Sequence, residues 1–242
     1  MQPKFFPYPG HFQLVACADK YVFLDDVNFQ RDSWFHRNKI LINGEMQYFG
    51  VKLNKASQNK KLNEIELVND GKWRDKLMET IRLSYKNAPY FQDIFPIVEN
   101  IILDPNITLL SEVAERSVRD VSDYLAIQTD FLRASQDDSN QHLKSQDRII
   151  AICNDLGANE YYNLPGGRKL YAVEDFQANN IDLYFIEPHN ITYPQFDNLQ
   201  GNQWYSIVDI LMFNAKEEVQ RLLQEYTVVN WFFSCCKLCL LL

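Results

Sequence analysis

Three prolines within seven residues, in Gln2-Pro3-Lys4-Phe5-Phe6-Pro7-Tyr8-Pro9-Gly10-His11-Phe12, restrict this chain more than any other stretch. Each fixes φ and removes a backbone donor, so the segment reads as a stiff, non-helical loop. Gly10 lets the backbone turn, and Phe12, Val15, Ala16 and Asp19 then predict a short helix with one apolar face. Tyr21-Val22-Phe23-Leu24 is a four-residue apolar run that reads as a buried strand. Asp25 and Asp26 follow where that strand should end. Ligands of open α/β sheets bind beyond the carboxyl ends of strands, so the acidic pair stands at a candidate site.

The remainder alternates strand and helix signals. Asn43-Gly44 between Lys39–Ile42 and Gln47–Val51 predicts a hairpin. Residues 54–63 read as an exposed polar loop. Trp73, Leu77, Met78, Ile81 and Tyr85 recur at helical spacing, ended by Asn87 and Pro89. Tyr90 to Val98 reads as a helical turn closing on Pro96. Thr108 is the expected N-cap of a helix with Leu110, Val113, Ala114, Val118, Val121 and Leu125 as its apolar stripe. Phe131–Ala134 and Tyr161–Leu164 read as strands. A helix capped by Ser145 and ended by Gly157 lies between them. Residues 174–180 and 204–212 read as helices around a strand at Ile181–Ile186, and Asn214 with Glu217 resembles a capping box. The pattern predicts an α/β fold with a largely parallel sheet flanked by helices. A helical insertion or subdomain is expected around 72–127, all within one domain spanning 1–229.

The formal net charge is −8, which argues against a broad nucleic-acid-binding face. No basic region followed by an apolar run opens the chain, and no apolar run is long enough to span a bilayer, so the expected compartment is the cytoplasm. Cys17 and Cys153 lie in apolar patterns and read as buried thiols, with Cys153 a poor nucleophile. Cys235, Cys236 and Cys239 fall in a hydrophobic tail of different composition, 230–242. Cys239 to Leu242 has the form of a prenylation box, which would anchor the chain to a membrane only where the tail is lipidated. No cysteine spacing suits zinc, and no metal site is expected.

The candidate chemistry is concentrated early. Asp25 or Asp26 could act as a base or bind Mg²⁺, because adjacent carboxylates repel and one pKa rises. A capped strand end is the plainer alternative. His11 follows Gly10 at the start of a helix, where free N–H groups favour phosphate. Arg37 suits a bidentate phosphate or carboxylate clamp, or a salt bridge to a nearby aspartate. Gly166-Gly167, after a strand and before Arg168-Lys169, is either a phosphate loop or an ordinary turn. Asn163 would point into the same crevice, and Tyr8 and Trp34 could stack on a sugar or base.

Gln2-Pro3, Phe6-Pro7-Tyr8, Gly10-His11-Phe12-Gln13-Leu14, Phe23-Leu24-Asp25-Asp26-Val27-Asn28-Phe29, Trp34 and Arg37-Asn38 together resemble the WbqC-like family. The likeness continues in Arg148–Cys153, Tyr162-Asn163-Leu164-Pro165-Gly166-Gly167, Tyr193, Gln195-Phe196 and Ser206–Asn214, and so covers roughly 1–225. Family members usually carry a short apolar strand ahead of the Gln-Pro pair, whereas here Met1 precedes it directly. The resemblance implies a bacterial protein of O-antigen or other surface-polysaccharide biosynthesis. The reaction it implies is acyl or aminoacyl (glycyl-type) transfer to the amine of a nucleotide-linked amino sugar, by a transferase or an ATP-dependent amide-forming enzyme. Asp25 or Asp26 would be catalytic on this resemblance, and His11 is added to them from its place at the helix start, where members of the family often carry Tyr. Gln2, Tyr8, Trp34, Arg37, Asn38, Asn163, Gly166 and Gly167 would bind the substrate. ATP with Mg²⁺ or acyl-coenzyme A are the candidate co-substrates. The alternative is a non-catalytic protein of the same pathway that binds a sugar nucleotide or a partner.

Overall fold

The structure, a computed structural model, describes residues 1–230. The first helix, α1 (Pro9–Ala16), opens on a proline, whose missing N–H costs nothing at that position. Strand β1 (Lys20–Phe23) follows, then the hairpin β2 (Arg37–Ile42) and β3 (Glu45–Gly50). Asn43 and Gly44 turn the hairpin at φ 53° and 80°, the paired positive values of a type I′ turn. A two-residue ladder joins β4 (Leu53–Asn54) to β5 (Glu66–Leu67).

Three helices come next: α2 (Lys72–Tyr85), α3 (Phe91–Ile102) and α4 (Leu110–Tyr124). The apolar stripe predicted for α2 is the face it buries. Helix α3 does not close at Pro96 but runs through it. The ring deletes one donor on an exposed face, while Ile94, Val98, Ile101 and Ile102 bury the other. At α4 the cap comes from inside the helix: the Glu112 carboxylate accepts the N–H groups of Thr108 and Leu109, both at 3.0 Å, so Thr108 is not the cap.

The second half contains β6 (Asp130–Arg133), α5 (Ser145–Asp155), β7 (Glu160–Asn163), α6 (Val173–Ala178) and β8 (Asp182–Pro188). It ends with a small ladder of β9 (Thr192–Pro194) and β10 (Gln200–Asn202), then α7 (Ile207–Phe213), α8 (Lys216–Leu222) and β11 (Tyr226–Asn230). Ser145 is the first residue of α5, after Lys144, and does not cap it. Trp204 lies ahead of α7, whose N-cap is Ser206. Asn214 closes α7 by donating to the Ile210 carbonyl, so it forms no capping box for α8.

The expected largely parallel sheet does not form. Among the described residues the parallel ladders are β1 with β6 and β7 with β8, each over four residues, and β11 pairs antiparallel on β8. The other ladders are antiparallel hairpins. The outer edges of β1 and β7 face each other across a cavity of about 390 Å³ and do not pair. The helices at 72–127 do form, but they share one core with α1, β1, β2, α7 and α8. A smaller core joins α5 and α6 to β7 and β8 through Ile149, Cys153, Phe176, Leu183 and Phe185. The tail expectations fall on 231–242, outside the described residues.

One buried carboxylate ties the larger core. Asp209 of α7 accepts from the hydroxyls of Tyr85 and Tyr193 (2.5 Å), from Gln195 Nε2 at 2.6 Å and from the Leu41 N–H at 3.2 Å. Burial pushes its carboxyl above the usual range, and these donors pull it part of the way back. Asp209→Asn keeps the shape but supplies one acceptor oxygen and two unwanted donors. It is expected to cost about 2–3 kcal/mol in a urea unfolding experiment.

Candidate functional site

The N-terminal loop lies over the carboxyl end of β1. Met1 pairs with that strand in the parallel sense: its amino group donates to the Val22 carbonyl at 2.6 Å, and its carbonyl accepts the Leu24 N–H at 2.9 Å. Phe5 and Phe6 then turn inward and are fully buried. A loop rich in proline and buried aromatics needs outside partners for its peptide groups, and it has them. The Phe6 N–H donates to Ser117 Oγ at 2.9 Å, and its carbonyl accepts from Asn38 Nδ2 at 2.6 Å and Ser206 Oγ at 2.7 Å. Asn38, expected at the substrate, is thus a buried anchor of this loop. Gln2 is half-buried beside Met1.

Beyond this clamp stand Lys4 and Tyr8. The Lys4 ammonium lies 5.7 Å from the Tyr8 ring centroid, and the Trp204 ring lies 6.2 Å from that of Tyr8. Burial lowers the Lys4 pKa, and no carboxylate among the described residues lies within ion-pair distance of it. Gly10 is required here, because a Cβ would come within 2.7 Å of the Tyr8 ring and 3.1 Å of Pro188.

His11 lies in the first turn of α1 but faces inward, wholly buried, with Nε2 2.6 Å from the Tyr21 hydroxyl. Its Nδ1 has no partner. Burial first, then the charges of Lys4 and the Met1 amino group, hold its pKa well below the ordinary value, so it is neutral.

The two aspartates are both engaged. Asp25 accepts from the Ser135 N–H at 3.0 Å and its hydroxyl at 2.6 Å, tying the end of β1 to the end of β6. Asp26 makes a bidentate pair with Arg148 of α5, both bonds 2.8 Å, with both side chains buried. Arg148 also donates to Asn140. A carboxylate held this way is a cross-link first and a poor general base.

At the end of β7, Asn163 Nδ2 donates to the hydroxyls of Tyr161 and Tyr171 at 3.1 and 3.0 Å, while its oxygen accepts the Leu164 N–H. Pro165–Leu170 forms a 3₁₀ turn. Gly167 lies against Asn163, where a Cβ would come within 2.8 Å of Nδ2, and Gly166 faces open space. Neither glycine has a positive φ, so the pair is a compact turn without a left-handed anion nest.

The structure therefore leaves Asp25 and Asp26 at the end of β1 with Met1 and Gln2 beside that strand, buries His11 against Tyr21, and stands Tyr8 with Trp204. It places Asn163, Gly166 and Gly167 at the end of β7. Arg37 opens the hairpin and Trp34 lies in the turn just ahead of it, where they meet Tyr48 and Lys39. Lys4, Trp204, Ser135 and Arg148 escaped the sequence reading as site residues. Only Arg148 carried a usable signal, a cation within an apolar helical run. Burial raises the thiols of Cys17 to about 12 and Cys153 to about 11, which leaves both inert at neutral pH. Among the described residues no group of three or more His, Cys, Asp or Glu side chains is placed to hold a metal ion, and no helix is long and apolar enough to cross a membrane.

The profile of the WbqC-like protein family matches residues 2–221, and the chain belongs to that family. Its relatives include the uncharacterized protein Rv1507c of Mycobacterium tuberculosis (strain ATCC 25618 / H37Rv), 25% identical over 221 residues, covering 90% of this chain and 93% of that protein. No solved structure matches.

Two outcomes follow from these contacts. Asp26→Ala leaves the Arg148 guanidinium buried and unpaired, so it is expected to lose about 3–5 kcal/mol of stability in denaturant titration. Asp26→Ala with Arg148→Met should lose less than the sum of the two single changes. His11 sets a pH dependence of defined sign. As pH falls below about 6.5 the unfolded chain takes up a proton that the folded chain refuses, so stability falls. His11→Gln should flatten that acid-side slope in melting temperatures measured across pH.

Proposed function

We propose that this protein acts in surface-polysaccharide precursor biosynthesis, where it binds a nucleotide-linked amino sugar and promotes acyl or aminoacyl transfer to the sugar amine. Membership of the WbqC-like family supports the association with polysaccharide biosynthesis. The observation that carries the binding half is the Lys4–Tyr8–Trp204 row. It combines an ammonium without a carboxylate partner, a packed tyrosine and a tryptophan that is 62% exposed, all above the start of α1. A diphosphate suits the Lys4 charge. A nucleobase or the apolar face of a sugar suits the rings. The binding partner is a small anion in a crevice, so the acidic balance of the whole chain does not oppose it. ATP with Mg²⁺ and acyl-coenzyme A remain the two donor systems that such a reaction would draw on.

A second reading is favoured by one observation. Asp25 and Asp26, the carboxylates expected to serve as bases, are both committed to Ser135 and Arg148. On that reading the crevice holds the sugar nucleotide without transforming it, for a partner enzyme of the same pathway.

A thermal-shift screen of the full chain against UDP-, dTDP- and GDP-linked amino sugars, alone and with ATP–Mg²⁺ or acyl-coenzyme A, tests both. Ligand at a hundred times Kd should add about 2.7 kcal/mol to stability. Lys4→Ala and Trp204→Ala are each expected to weaken binding roughly tenfold or more. Absence of any shift sinks the binding reading. Binding with no product under either donor supports the second reading over the first.

A further inference from the structure

The outward face of the β2–β3 hairpin carries a cluster that the crevice does not use. Lys39 and Tyr48 are direct cross-strand partners. The Tyr48 ring has the Arg37 guanidinium 4.8 Å from its centroid and the Lys39 ammonium at 5.3 Å. Trp34 stands beside it, 6.1 Å from Tyr48 with the ring planes inclined by 35°, and its own ring lies 5.9 Å from Lys39. Trp34 is 40% exposed and Tyr48 53%. Among the described residues the one ion pair to this group is from Asp32, 3.4 Å from Arg37 and itself largely in solvent.

The platform is rigid from beneath. Asn38, Ile40 and Phe49 are buried on the inner face of the same hairpin. The Trp34 carbonyl accepts from the Phe5 N–H at 3.1 Å, and the Lys39 carbonyl accepts from the Ser206 N–H at 2.8 Å. The solvent face of a hairpin needs only polar side chains to fold. Two large rings framed by two cations go beyond that need, in a chain whose net charge is −8. Internal cation–π contacts account for part of the arrangement, yet they leave both rings accessible.

We propose that this face is a second binding surface, separate from the crevice, for an acidic oligosaccharide: Trp34 and Tyr48 lie under the apolar faces of neighbouring sugar rings, and Arg37 and Lys39 meet their carboxylates. The inference rests on the polysaccharide reading above for its ligand class, and on the hairpin alone for its geometry. A flat ligand with C–H faces and regularly spaced anionic groups matches side-by-side rings flanked by a guanidinium and an ammonium. The acidic balance of the chain favours such a short, locally bound anion over a nucleic acid, which would meet repulsion along its length.

The test uses the full chain and two probes, hexagalacturonate and the neutral maltohexaose, titrated by calorimetry. The wild type is expected to bind hexagalacturonate and to bind maltohexaose at least roughly tenfold more weakly. Tyr48→Ala, Trp34→Ala and Arg37→Gln should each weaken hexagalacturonate binding roughly tenfold. Tyr48 is half in solvent and its variant should melt close to the wild type, so the test survives if Trp34→Ala misfolds. Lys4→Ala and Trp204→Ala should bind the oligosaccharide as the wild type does while losing sugar-nucleotide binding, which separates this surface from the crevice. The proposal is overturned by absence of binding, by unchanged binding in Tyr48→Ala and Arg37→Gln, by equal affinity for the neutral hexamer, or by parallel loss in Lys4→Ala.

Discussion

The bidentate pair between Asp26 and Arg148 is the constraint on which the rest depends. The two parallel strand pairs share no ladder: β1 belongs with β6, β7 belongs with β8, and a cavity lies between them, while β8 gives Ile186 to the larger core and Leu183 and Phe185 to the smaller. What crosses between them includes a buried carboxylate at the end of β1 and a buried guanidinium from α5. Such a pair adds little net energy against an apolar substitute, because both ions must leave water. It does fix geometry. The fork of the guanidinium accepts one orientation of the carboxylate, so the end of β1 and the first turn of α5 are held in a single relation. Asp25 does the same for β6 through Ser135. Two adjacent carboxylates that in sequence read as a reacting pair are, in the fold, the two bolts of the crevice.

The N-terminal loop depends on that frame. Prolines deny it regular hydrogen bonding, and its aromatic rings are buried, so its peptide groups must be satisfied by side chains from elsewhere. Ser117 of α4, Asn38 of β2 and Ser206 ahead of α7 provide this. They are separated from the loop by between 32 and 200 residues in the chain. A loop held at so many points is pre-organised, so Lys4 and Tyr8 are fixed in place before any ligand arrives.

Charge is arranged asymmetrically around this loop. Of the anionic side chains nearby, Asp26 is paired with Arg148 and Glu115 lies between Arg119 and Arg133, while Asp25 is held by Ser135. Lys4 has no such partner. His11 is kept neutral by burial, and with Tyr21 it fills the polar interior behind α1 without adding charge. The result favours an anion in front of the loop within a chain that is acidic as a whole. The hairpin face repeats the theme with Arg37 and Lys39.

Local features were legible in the sequence because their causes are local. Asn43-Gly44 specifies a type I′ turn through φ alone, the spacing of Trp73 to Tyr85 specifies a buried helical face, and the Tyr21–Phe23 run specifies a strand. The sequence by itself also determined the family, since the matching stretches run nearly from end to end. Pro96 and Thr108 misled, because the buried face of α3 outweighs one missing donor and Glu112 reaches back to cap α4. Only the tertiary structure decided which charges are free. Whether Asp26 is a base or a bolt depends on Arg148, 122 residues away, and whether Lys4 is an anion site depends on which carboxylates fail to reach it. Side-chain type fixes what a residue can do. Its partners, brought by the fold from distant parts of the chain, decide whether it is left able to do it.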